Sequence, residues 1–168
     1  EFRRVLFRSE GYRHPTFLDA GVVQDRLVVG PDSLINVVTG ANSGGKTQQL
    51  RGLAQLITLA HAGLPIPATK ARMSMSWSLH SNFGGKDDSA KGRYEKSLTR
   101  WMDDILTKIS RSVVFSDESN DGTFVKTGVA HTVQALNVLS RRKAVTFLTT
   151  HYHEIAEQLQ DRKSTRLN

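Results

Sequence analysis

Cysteine is missing from this chain altogether, which excludes a disulfide framework and any metal site built on thiolates. Also missing is an apolar run of roughly 18 residues, the length a helix needs to cross a bilayer, and no signal-peptide pattern opens the sequence. Internal repeats and low-complexity tracts are absent too, so neither a solenoid nor a disordered scaffold is indicated. These absences leave a soluble, cytoplasmic type of chain with no membrane partner; a bacterial source would make it nucleoid-associated, and a nuclear one stays open. Its 168 residues are enough for one domain with a real core and too few for two ordinary ones.

The net charge of +7 invites a nucleic-acid reading, but its distribution argues otherwise. Arg3, Arg4, Arg8, Arg162, Lys163 and Arg166 sit in the two ends, against Glu1 and Asp161. Removing these six basic and two acidic residues lowers the charge from +7 to +3. Neither end, EFRRVLFRS or DRKSTRLN, shows helix or strand periodicity. With one choice of codons, the last eight residues are the reverse complement of the central stretch encoding the first nine, a relation that resembles a sequencing adaptor. We therefore expect residues 1–9 and 161–168 to be translated adaptor, and residues 10–160 to form the domain. The alternative is a pair of basic tails for nucleic acid.

The densest chemical signal is residues 40–47, GANSGGKT. A Gly, four residues and then Gly-Lys-Thr is the phosphate-loop pattern: backbone N–H groups of a glycine-rich turn cradle phosphates at the positive end of the following helix. Gly40, Ala41, Asn42, Ser43, Gly44 and Gly45 form the turn. Lys46 reaches the outer phosphates, and Thr47 offers its hydroxyl to Mg²⁺. The flanks agree with this reading. Leu34 to Thr39 is a short apolar, β-branched run suited to a buried strand, and Leu50, Leu53, Leu56, Ile57 and Ala60 then recur at helical spacing. Gly63, Pro65 and Pro67 stop that helix. A mere Gly-rich turn is the competing reading.

Two more strands end in polar residues. Val113-Val114-Phe115 runs into Ser116-Asp117-Glu118, and an Asp at the end of an apolar strand is where phosphate-loop enzymes hold Mg²⁺. Glu118, next to it, is placed to polarise a water for attack on the γ-phosphate. Ala144 to Leu148 leads into Thr149-Thr150-His151, so His151 lies where it can sense the γ-phosphate, unless it only caps the strand. His151, His153 and Glu154 lack the remaining spacing of a zinc site.

Elsewhere, residues 10–33 alternate and are punctuated by Gly and Pro, which predicts strands of a small antiparallel edge. Met73, Met75, Trp77 and Leu79 alternate with Ser and predict one strand. Leu98, Trp101, Met102, Ile105, Leu106 and Ile109 predict a helix over 94–109, and Val129, Val133, Leu136 and Leu139 another. Another helix is predicted to start near His153. Strands alternating with helices predict an α/β phosphate-loop NTPase fold, a mostly parallel sheet with helices on both faces. Ligands in such sheets sit beyond the carboxyl ends of the strands, where Gly40, Asp117 and His151 all fall.

Taken together, residues 37–68, 112–123 and 147–159 resemble the ATPase domain of the MutS mismatch-repair proteins. The likeness rests on Asn42 with Gly44-Gly45, Leu64-Pro65-Ile66-Pro67-Ala68, Asp117-Glu118 with Gly122-Thr123, and Thr150-His151-Tyr152, with His14-Pro15 ahead of the loop. The resemblance implies an ABC-like ATPase, ATP and Mg²⁺ as cofactors, and a dimer of identical or different subunits with nucleotide between its two domains. It also implies DNA as a partner through domains absent from these residues. Three features depart from the family pattern. Tyr94 follows Gly92-Arg93 where a serine is expected, Asn120-Asp121 replaces Gly-Arg, and no aromatic residue lies between Gly21 and Asp25 to stack on adenine. Together they imply a divergent branch. Alternatives are the ATPase domain of a transporter or chromosome-organising protein, whose Leu-Ser-Gly-Gly-Gln-like signature is not found, or a fragment without turnover.

Overall fold

The computed structural model of the chain describes residues 7–15, 23–30, 33–40, 45–74, 78–83, 112–117 and 125–165. Its elements are β1 (Phe7–Arg13), β2 (Val23–Val29), β3 (Ile35–Thr39), α1 (Lys46–His61), β4 (Lys70–Met73), β5 (Ser78–Asn82), β6 (Ser112–Asp117), α2 (Val125–Arg141), β7 (Val145–Thr150) and α3 (His153–Thr165). The fold is α/β, with two sheets. β3, β7, β6 and β5 form a parallel sheet in that spatial order, and β2, β1 and β4 form an antiparallel one.

β6 and β7 lie in the middle of the parallel sheet because their sequences are apolar on both faces. Ser112 to Ser116 and all of Val145–Thr150 are buried, as expected of a parallel strand covered on both sides. Alternate side chains go to different cores. Val113, Phe115, Val145 and Phe147 pack against Leu50, Leu53, Leu56 and Ile57 of α1, whereas Val114 and Leu148 pack against Val129, Val133, Leu136 and Leu139 of α2 and Ile155 of α3. Phe115 and Phe147 are paired across the strands and their rings stack with centroids 5.3 Å apart. Each such side chain contributes roughly 1.5–3 kcal/mol by leaving water.

α1 stops where Gly and Pro predict. The Gly63 amide donates to the Ala60 carbonyl and the Leu64 amide to that of Leu59, satisfying carbonyls of the last turn before Pro65.

Two expectations change. The antiparallel strands are not an edge of the main sheet but a sheet of their own, completed by β4, and they share the α1 core through Phe7, Tyr12 and Val29. The one strand expected from Met73 to Leu79 is two: β4 pairs with β1 and β5 with β6. A polar–apolar alternation carries no mark of a change of pairing partner; Met75 and Trp77 lie outside the described residues. Residues 7–9 belong to β1 and residues 161–165 to α3. Phe7, Arg8 and Ser9 pair with both β2 and β4, Phe7 is buried, and α3 continues beyond residue 160 to Thr165. Backbone pairing and helix continuation need no apolar periodicity, which is why the end sequences did not show them. The helix expected over 94–109 lies outside the described residues.

β1 is distorted at Gly11. The Thr69 amide donates to the Glu10 carbonyl and the Arg13 amide to that of Pro67. Gly11 stands at φ 58°, where a Cβ would be 2.3 Å from the Thr69 hydroxyl. The buried positions of the strand are Phe7, Ser9 and, past Gly11, Tyr12.

Candidate functional site at the carboxyl ends of the strands

Three parallel strands bring the candidate residues abreast. Thr39, the last residue of β3, pairs with Thr150 of β7, and Asp117, the last of β6, pairs with Thr149. Gly40 and His151 are therefore the next positions along neighbouring strands, beside Asp117.

α1 starts at Lys46 with Gly45 as its cap, at φ 77°. A Cβ there would meet no atom within 4 Å, so glycine is required by the left-handed backbone rather than by crowding. The cap supplies no side-chain acceptor, and no acidic residue lies in the first turn. The partial positive charge of the helix start is thus left without a carboxylate from that turn.

Lys46 is 8% exposed and its Nζ donates to the Gly40 carbonyl at 2.7 Å. A buried ammonium requires such partners, and this bond ties the start of the loop to its end. Thr47 Oγ1 donates to Asp117 Oδ1 at 3.0 Å, across 70 positions of sequence. Thr149 Oγ1 donates to the same oxygen. A hydroxyl and a carboxylate in contact are hard oxygen donors of the kind Mg²⁺ takes along with phosphate and water, so this pair fits that ion. His151 is partly buried, with its ring 3.9 Å from that of Tyr152, and the Tyr152 amide is held by Thr150 Oγ1 at 3.1 Å.

Of the residues singled out from sequence, Gly40, Gly45, Lys46, Thr47, Asp117 and His151 gather at this end of the sheet. Ala41, Asn42, Ser43, Gly44 and Glu118 lie outside the described residues.

The geometry brings in four residues whose contacts the sequence does not show, His14 among them although His14-Pro15 carries part of the resemblance. Thr149 is the second donor to Asp117, a position visible from sequence once β6 and β7 are taken as parallel neighbours. His14, just past the end of β1, has its Nε2 2.8 Å from the Gln48 carbonyl in the first turn of α1. Tyr12 and His14 press against Gly52, where a Cβ would stand 2.3 Å from the Tyr12 hydroxyl and 2.2 Å from His14 Cδ2. The signal for this contact was a glycine within an otherwise well-formed helix. Burial pushes the Tyr12 phenol up to about 12. An open groove of about 650 Å³ runs along α1, by Pro15, Arg51, Leu79, Phe83 and Phe115. None of the described phosphate-loop residues lines it.

The family model described as MutS domain V matches residues 36–167. The DNA mismatch repair protein MutS of Caldanaerobacter subterraneus subsp. tengcongensis is 28% identical over 151 residues, covering 86% of this chain and 17% of that protein. The chain therefore spans about a sixth of the length of that relative.

Proposed function

The chain belongs to the MutS domain V family, and from that premise we propose that it is the ATP-binding and hydrolysing module of a MutS-like DNA-binding protein. The observation that carries the proposal is the Thr47–Asp117 hydrogen bond, which joins the helix after a phosphate-loop sequence to the end of the Asp-Glu strand. Two distant motifs of one chemistry are brought into contact, as a phosphoryl-transfer site of this type requires.

In this reading the loop backbone and the start of α1 bind the phosphates, and Lys46 moves from the Gly40 carbonyl to the outer phosphates. Thr47 and Asp117 hold Mg²⁺, which neutralises charge on the phosphate oxygens when bound. Glu118 accepts a proton from the attacking water, and His151 donates a hydrogen bond to the γ-phosphate. Positioning and charge supply most of the catalysis that phosphoryl transfer needs. Nucleotide lies between two such modules, so turnover per chain rises with protein concentration. DNA is gripped by other parts of a longer, cytoplasmic protein. Among the described residues no helix is long and apolar enough to cross a membrane.

Glu118→Gln tests the assignment. Nucleotide binding is retained and single-turnover hydrolysis is lost; hydrolysis at the wild-type rate would remove Glu118 from the mechanism.

A further inference from the structure

Thr149 is the buried polar group at the site that the proposed mechanism leaves without a task. It is fully buried and pairs with Asp117 across β6 and β7, and its hydroxyl donates to Asp117 Oδ1. The same oxygen accepts from Thr47. The two donors come from different elements and are not equivalent. Thr47 stands on the helix beside the phosphate loop, and in the proposed site its oxygen would bind the cation while its proton stays hydrogen-bonded to the carboxylate. Thr149 is on a central strand whose residues are all buried, so its one proton is committed to Asp117. A buried hydroxyl needs a partner, and a bond to an ionised acceptor is among the stronger ones.

We infer that Thr149 is a positioning residue that fixes the Asp117 carboxylate for a divalent cation bound with nucleotide. The inference rests on the reading of Thr47 and Asp117 as the Mg²⁺ site. Its physical content is preorganisation. A carboxylate held by a rigid strand loses little freedom when the cation arrives, and a residue that orients a metal ligand in this way typically changes metal affinity by about 10-fold or more when removed.

The test uses the full chain with Mn²⁺ as the probe, free Mn²⁺ being followed by electron paramagnetic resonance in the presence of ADP. Thr149→Val keeps the side-chain volume and removes the hydroxyl, whereas Thr149→Ser keeps the hydroxyl and removes the methyl group. Thr149→Val is expected to weaken Mn²⁺ binding by about 10-fold, and Thr149→Ser to return it close to wild type. ADP affinity in EDTA should be the same in all three. If the valine variant fails to fold, Thr149→Ala replaces it in the comparison. Unchanged or tighter Mn²⁺ binding without the hydroxyl overturns the inference and leaves the site reading intact. Equal weakening in the serine and valine variants assigns Thr149 to packing and also overturns it. Wild-type protein that binds no Mn²⁺ with ADP overturns the site reading, and the inference with it.

Discussion

The two sheets hold α1 in different ways. The parallel sheet meets it with apolar side chains from its central strands, Val113, Phe115, Val145 and Phe147, against Leu50, Leu53, Leu56 and Ile57. The antiparallel sheet adds Phe7, Tyr12 and Val29 to that core, but near the phosphate loop it makes a polar and close contact: His14 on the Gln48 carbonyl, and Tyr12 and His14 over Gly52. One sheet supplies hydrophobic area. The other determines where the start of the helix lies. Since the start of α1 carries Lys46 and Thr47, stability and site geometry are expected to respond to different substitutions.

The largest effect should come from the parallel side. Phe115→Ala removes one ring of the Phe115–Phe147 stack and is expected to cost about 3–5 kcal/mol in urea denaturation. A cost under about 1 kcal/mol would mean that this core is not the main support of the fold.

On the antiparallel side, pH separates the contributions. Burial raises the Tyr12 phenol from 10.0 to about 12, while the unfolded chain loses that proton near the ordinary value. The stability linked to the neutral phenol is therefore complete below pH 10 and is lost as pH rises towards 12. Urea midpoints measured over this range should decline in wild type and decline less in Tyr12→Phe. Parallel curves would show that the phenol is not buried against α1.

Gly52→Ala sets two small terms against each other. Alanine gains about 1 kcal/mol of helix propensity, but its Cβ would stand 2.2 Å from His14 and 2.3 Å from Tyr12, an overpacking cost of about 1–3 kcal/mol. We expect a net loss of about 1 kcal/mol, measured by thermal unfolding. A stabilised Gly52→Ala variant would show that the antiparallel sheet does not lie close on the helix.

The same contrast explains what could be read from the sequence. β3, β6 and β7 were legible because Leu34 to Thr39, Val113 to Phe115 and Ala144 to Leu148 are short apolar runs, each a local signal of burial on both faces. α1 and α2 were legible from Leu50 to Ile57 and from Val129 to Leu139, whose spacing states which face is buried. Strands within residues 10–33 were legible too, but the pairing of β1 with β4 was not: Arg8, Glu10, Gly11 and Arg13 in one and Lys70 and Arg72 in the other give no local reason to pair. Their partnership lies in a register between segments some sixty positions apart, such as Glu10 with Lys70. The site divides likewise. Lys46, Thr47 and Asp117 announce themselves because phosphate chemistry needs those residue types at fixed offsets. Thr149, His14 and Gly52 act through neighbours that only the fold supplies, so their roles were not visible along the chain.

The central claim is that the α1–β6 junction binds nucleotide phosphates through Lys46. Calorimetric titration of Mg²⁺–ADP into wild type and Lys46→Ala, both shown to be folded, tests it most directly. Binding by wild type with none detectable in Lys46→Ala is the predicted result; equal binding by the two, or none by wild type, would contradict it.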